Sequence, residues 1–183
     1  PMLYPDYQAV TDSKVQAKFE AYWGKELDSK AGLTVVEITE AIYEDKIRGM
    51  YVMGENPAMS DPDANHARGA LAKLDHLVVQ DLFMTETAAY ADVILPASAF
   101  PEKDGTFTNS DRRVQRVRQA LPPVGESRSD WQIICDLAKR METRLEIEQS
   151  AGFDYRNPEQ IWEEMRQVTP PFYGITYARL EEE

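Results

Sequence analysis

The sequence predicts an α/β protein of the Rossmann-like kind, a mostly parallel sheet with helices on both faces. Three observations predict it: short apolar runs at 49–53, 77–79 and 93–95, helical apolar periodicity in the segments around them, and a turn-forming corner after each run. With 183 residues, 43% of them hydrophobic, the chain can bury a proper core. The linear boundaries expected are a helical lead-in over 1–30, the α/β domain over 31–145, and a C-terminal helix and tail over 146–183.

Val15, Phe19 and Tyr22 recur at helical spacing between 12 and 23, and Gly24 stands where that helix would stop. Thr34 and Glu37 form a capping-box pattern ahead of the stripe Val35, Ile38, Ile42, which predicts a helix from 35 to about 46. Gly49-Met50-Tyr51-Val52-Met53 is continuously apolar and reads as a buried parallel strand, followed by a loop at 54–57. Asp61 and Pro62 supply a cap and a first helical residue for a helix carrying Ala67, Ala70, Leu71 and Leu74. Leu77-Val78-Val79 and Val93-Ile94-Leu95 are the second and third strands. From 96 to 130 the prolines and glycines predict loop, although Arg112, Val114 and Arg116 alternate as an exposed ribbon would. Ser129 with Gln132 opens a further helix, and Asn157-Pro158 starts the last.

A net charge of −12 excludes general nucleic-acid binding, which needs clustered Lys and Arg. The single cysteine, Cys135, excludes an intramolecular disulfide and any multi-cysteine metal or iron–sulfur site in this chain, and it suits a reducing compartment. No apolar run approaches the ~18 residues of a membrane span, and nothing at the N-terminus resembles a signal peptide. The expectation is a soluble, cytoplasmic protein without membrane contact. Its ends, Pro1-Met2-Leu3 and Glu181-Glu182-Glu183, look like cuts through a longer polypeptide.

Ligands of open parallel sheets bind outside the carboxyl ends of the strands. Three corners lie there: Gly54-Glu55-Asn56-Pro57, Gln80-Asp81 and Pro96-Ala97-Ser98. Gly54 lets a ligand approach the backbone, Asn56 can donate and accept, and the Asp81 carboxylate can take two hydrogen bonds from a guanine edge. Taken singly, a Gly-x-Asn-Pro corner is most often a plain turn, Asp81 a cap, and the cluster Arg112, Arg113, Arg116, Arg118 a solvated face. Cys135 falls on an apolar helix side as an inert core thiol, and His66 and His76 read as surface or capping residues rather than metal ligands.

Taken together and in order, Met53-Gly54-Glu55-Asn56-Pro57, then Val79-Gln80-Asp81-Leu82-Phe83-Met84-Thr85-Glu86-Thr87-Ala88, then Tyr90-Ala91-Asp92-Val93-Ile94-Leu95-Pro96 resemble the molybdopterin oxidoreductase superfamily. Glu102-Lys103-Asp104-Gly105-Thr106-Phe107-Thr108-Asn109, Arg112-Arg113-Val114-Gln115 and Asp130-Trp131-Gln132-Ile133-Ile134 narrow the resemblance to the formate dehydrogenase large (alpha) subunit. It implies a domain holding one of two molybdopterin guanine dinucleotides around molybdenum, in an enzyme that oxidises formate to carbon dioxide. By that resemblance Gly54, Glu55, Asn56 and Pro57 line the phosphate and ribose end, and Gln80, Asp81 and Thr85 meet the guanosine. Gly105, Thr108, Asn109, Arg112 and Arg113 close over the cofactor, and Asp130 is a further candidate.

The resemblance is incomplete. The molybdenum-ligating cysteine or selenocysteine with its following histidine has no counterpart here, and neither do the cysteines of an iron–sulfur cluster. The chain is therefore expected to be one excised, non-catalytic domain, its sheet incomplete and the cofactor absent from the isolated piece. Its partners would be the rest of the large subunit and the electron-transfer subunits. The alternatives are the same domain from a nitrate reductase or from the cofactor-free respiratory NADH dehydrogenase subunit, a non-catalytic interaction domain, and an independent nucleotide-binding protein.

Overall fold

A computed structural model describes residues 2–147 and 152–182. Pro1 at the opening, residues 148–151 in the predicted C-terminal segment, and Glu183 in the terminal acidic run lie outside the described residues. In chain order the elements are β1 (Leu3–Tyr4), β2 (Gln8–Ala9), α1 (Ser13–Trp23), α2 (Val35–Tyr43), β3 (Gly49–Met53), α3 (Pro57–Ser60), α4 (Ala64–Lys73), β4 (His76–Asp81), β5 (Val93–Pro96), β6 (Gly105–Thr108), β7 (Val114–Val117), α5 (Asp130–Arg144), α6 (Pro158–Val168) and α7 (Tyr177–Glu182). They group into two compact units. A sheet unit comprises Leu33–Ala99 and Pro123–Ile133, and a hairpin unit comprises Pro1–Gly32, Phe100–Pro122 and Ile134–Glu183. The hairpin unit is discontinuous in sequence, with Val114 of β7 packing against Trp162 of α6 and Tyr177 of α7.

In the sheet unit β3, β4 and β5 form a parallel sheet in the order β3-β4-β5, with Val52 opposite Val79 and Gln80 opposite Leu95. Because strand side chains alternate, Val52, Leu77 and Val79 share one face. They form a core with Ala58 of α3, Leu71 of α4 and Ala88. Tyr51, Val78 and Gln80 occupy the opposite face. The predicted burial of all three strands holds only for β4. In β3 only Val52 is buried while Tyr51 and Met53 are exposed, and Val93 and Ile94 of β5 are exposed too. Within this three-stranded sheet β4 is the strand paired with another strand on each side.

Local chemistry sets the helix ends. Asp12 Oδ1 accepts from Lys14 N at 2.8 Å and Val15 N at 3.2 Å, and Gly24 ends α1 with φ of 62°. The Thr34–Glu37 capping box is present, but α2 stops at Tyr43, short of the predicted 46, with Asp45 turning at φ of 58°. The cap of α4 is Asp63, whose Oδ1 accepts from His66 N at 3.0 Å, rather than the predicted Asp61. Asp61 closes α3 instead, a turn that Pro57 opens at its first position and that the sequence presented as loop.

The hairpin unit holds the largest departure from expectation. Residues 105–108 and 114–117, inside the predicted loop, pair as an antiparallel hairpin. Flanking prolines and glycines mask two strands of only four residues each. Val114 packs with Trp162 of α6 and Tyr177 of α7, joined by Met165, Phe172, Ile175 and Leu180, so α7 forms where only a tail was expected. Asn157 caps α6 as predicted, its Oδ1 accepting from Gln160 N at 3.0 Å. Elsewhere in the unit Phe19 is fully buried and stacks on Tyr4 at 4.4 Å.

Candidate functional site

Two sets of predicted residues stand on different scaffolds. The first lies at the carboxyl ends of β3 and β4. Gly54 donates its amide to Gln80 O at 2.9 Å and turns the chain at φ of 63°, a backbone region that side chains other than glycine's enter at a cost. Glu55 is exposed. Asn56 is fully engaged: its Oδ1 accepts from Thr87 N at 3.1 Å and Thr87 Oγ1 at 2.8 Å, and its Nδ2 donates to Glu86 Oε2 at 2.7 Å. That last bond holds the Glu86 carboxyl below the usual range. Thr87, fully buried, also accepts from Ala58 N at 3.1 Å. Asn56 thus braces the loop after β3 against the loop after β4, and it leaves Gly54 and Glu55 as that corner's exposed groups.

Gln80 was expected to meet a guanosine, yet it has no exposed surface and both ends of its amide are bonded. Its Oε1 accepts from the Tyr51 hydroxyl, and its Nε2 donates to Asp130 Oδ1 at 2.7 Å. The Tyr51 phenol is pushed up by burial and by the Asp130 charge. Asp81 Oδ1 accepts from Leu82 N at 2.6 Å and Phe83 N at 3.2 Å, which orders the turn after β4. Thr85 Oγ1 accepts from Ala88 N at 3.2 Å, a turn cap. Beyond β5, Ser98 N donates to Arg128 O at 2.9 Å and Arg128 N to Pro96 O at 3.1 Å, so residues 127–130 run beside the end of that strand. There the hydroxyls of Ser98 and Ser127 are buried without a hydrogen-bond partner among the described residues.

The second set lies on the β6–β7 hairpin. Gly105 is half-buried, and Thr108 stands exposed opposite Val114. The tip is closed by Asn109, which exchanges backbone hydrogen bonds with Arg112 and Arg113 and accepts from Arg113 N through Oδ1 at 2.9 Å. Arg112 takes φ of 65°, unusual for a non-glycine residue. The four arginines divide. Arg116 donates to Gly105 O at 2.7 Å, bonds Glu181 Oε1 at 2.8 Å and lies 4.2 Å from the Tyr177 ring centroid, while Arg118 pairs with the same Glu181. Arg112 and Arg113 are exposed, and among the described residues their guanidinium groups have no ion-pair partner.

Other candidates resolve into structural roles. Cys135 is buried, and burial pushes its thiol up, away from the reactive thiolate. His66 stacks on Tyr43 at 4.4 Å and lies 3.1 Å from Glu40 Oε1, and His76 lies 3.7 Å from Asp92. Among the described residues no three potential metal ligands lie together, and no helix is long and apolar enough to cross a membrane. Sequence reasoning missed Tyr51, Glu86 and Thr87. Their partners stand 29 to 31 positions away, so only the paired strands reveal them.

The arrangement has counterparts among known proteins. The sequence profile of the molybdopterin oxidoreductase family matches residues 9–140. The chain belongs to that family. It is 47% identical over 181 residues to the F420-dependent formate dehydrogenase subunit alpha of Methanocaldococcus jannaschii, covering 99% of this chain and 26% of that one. It is 45% identical over 181 residues to YrhE of Bacillus subtilis strain 168, named as a formate dehydrogenase, covering 18% of it. The chain therefore spans only 18–26% of the length of these relatives. Among solved structures, acetylene hydratase from Pelobacter acetylenicus superposes with a TM-score of 0.63 at 19% identity, over 94% of this chain and 24% of that one, a likeness of fold.

Proposed function

We propose that this chain is one cofactor-binding domain of a formate dehydrogenase large subunit, holding part of a molybdenum bis(molybdopterin guanine dinucleotide) group and inactive by itself. The observation that carries the reading is the identity of 45–47% with proteins named as formate dehydrogenases over nearly the whole chain, which fills only 18–26% of their length. The polar groups at the strand ends fit a nucleotide: a glycine corner at Gly54, acceptor carboxylates at Asp81 and Asp130, and the buried Ser98 hydroxyl, which has no hydrogen-bond partner among the described residues. A carboxylate matches the paired N–H donors of a guanine edge. Arg112 and Arg113 offer guanidinium groups, which have no ion pair among the described residues, to the charge of a pyrophosphate.

When bound, the group supplies the molybdenum centre at which formate is oxidised to carbon dioxide. The residues of the sheet unit bind and orient its nucleotide portion: Gly54 and Glu55 the phosphate and ribose end, Asp81 and Asp130 the base, with Asn56, Pro57, Gln80 and Thr85 shaping the loops. The hairpin, taken by itself, offers Arg112 and Arg113 to phosphate charge on a turn shaped by Gly105, Thr108 and Asn109. The remainder of the large subunit would supply the other half of the pocket, the metal ligand and iron–sulfur clusters that pass electrons to partner subunits. The single cysteine suits placement in the reducing cytoplasm.

The test uses the full-length polypeptide that carries this chain. It should contain molybdenum and release an oxidised pterin, and it should reduce a dye with formate, whereas the 183-residue chain should not. Dye reduction by the short chain, or a full-length protein free of pterin when produced with an intact cofactor supply, would overturn the reading.

A further inference from the structure

Resting on that reading, we propose that Tyr51 and Gln80 are positioning residues, which fix the Asp130 carboxylate at the start of α5 as an acceptor for a donor group of the bound nucleotide. Neither acts on the ligand directly. Gln80 has no exposed surface, and it carries the hydrogen-bond relay from Tyr51 to Asp130.

Register and pleat create the arrangement. Tyr51 pairs with Val78 across β3 and β4, so it sits diagonal to Gln80 on the same face, within reach of a long side chain. That face is turned away from the apolar core of Val52, Leu77 and Val79. A buried amide is costly unless both its oxygen and its nitrogen are bonded, and here each has one partner. Chemistry also fixes which way round the amide lies. The Tyr51 hydroxyl donates to Oε1, and the Asp130 carboxylate can only accept, so it must face Nε2. Turning the amide over would set an oxygen against the carboxylate.

Glutamine is needed for this task and is a poor choice for simple adhesion. An apolar side chain would fasten α5 to the sheet without burying polar atoms, but it would leave the direction of the carboxylate unset. Glutamate would set two carboxylates against each other. The site held in this way is at the carboxyl ends of β4 and β5, because the paired segments 96–98 and 127–128 carry Asp130 there. Ligands of parallel sheets bind at those ends.

The test measures pterin and molybdenum per polypeptide in the purified full-length protein before and after gel filtration, with thermal melting alongside. Asp130→Asn and Gln80→Leu should each lower retention about ten-fold or more, the scale of one hydrogen bond to a charged group, and Tyr51→Phe should lower it less. The double variant Gln80→Leu/Asp130→Asn should retain no less than the worse single variant, because one acts through the other. Gln80→Glu should lose cofactor at about pH 8 and regain it at about pH 6, where the paired carboxylates share a proton and the protonated residue 80 donates to Asp130 again. A merely structural Gln80 would give no such recovery.

Full retention in Gln80→Leu, fully additive losses, or no recovery of Gln80→Glu in acid would overturn the positioning role while leaving the proposed function standing. Full retention in Asp130→Asn would overturn the inference through its target residue. A wild-type protein without pterin would overturn the proposed function and this inference with it.

Discussion

The strand ends of the sheet unit and the tip of the hairpin carry polar residues of similar types, but they use them in opposite ways. At the strand ends nearly every polar side chain is spent on a neighbour: Asn56 on Glu86 and Thr87, Gln80 on Tyr51 and Asp130, and Asp81 on the amides of its own turn. At the hairpin tip Asn109 closes the turn while Arg112 and Arg113 stand exposed. One region holds its side chains in fixed positions through hydrogen bonds to neighbours; under the proposed function this would lower the entropy lost on binding. The other leaves two guanidinium groups at the surface. The same division runs through the arginine cluster itself, since Arg116 and Arg118 are tied to Glu181.

Breaking a brace should therefore cost stability, whereas removing a presented charge should not. The largest effect is expected from Thr87→Val, which removes the partner of the Ala58 amide and one donor to Asn56 in a buried place. Denaturant titration should show a loss of about 1–3 kcal/mol. A change below about 0.5 kcal/mol would mean that the loops hold together without that bond. Next comes Arg116→Ala, which unties β7 from α7, and a loss of about 1–2 kcal/mol is expected from the hydrogen bonds and ring contact together. Faster hydrogen exchange in residues 105–117 would locate the effect, and unchanged exchange there would contradict it.

Acid should sharpen the contrast. The Glu181 carboxyl is held below its ordinary value of 4.5 by hydrogen bonds from Arg116 first and Arg118 second. A lowered carboxyl contributes stability that is fully present above the ordinary value and is lost as pH falls through the folded one. Melting temperatures measured from about pH 6 to pH 3 should fall less steeply for Glu181→Gln than for the parent chain. Equal slopes would show the pair to be inert. The smallest stability change belongs to Arg112→Ala/Arg113→Ala, within about 0.5 kcal/mol. The same double variant in the full-length protein should nonetheless retain less pterin, and a clear loss of stability instead would move these arginines to the structural side.

Local chemistry was legible in the sequence by itself. The three parallel strands, the cap of α6 at Asn157, the Thr34–Glu37 box and the core position of Cys135 follow from residue type and period, which act over a few residues. The ordered motifs around Gly54, Asp81 and Arg112 likewise announced a family that the profile match bears out. Only the tertiary structure could decide which polar residues present themselves and which hold others, because that depends on partners 29 to 50 positions apart brought together by sheet register. For the same reason Gln80 lies buried between Tyr51 and Asp130, Val114 drew the hairpin and α7 into one core, and the four arginines separated into a tied pair and an exposed pair.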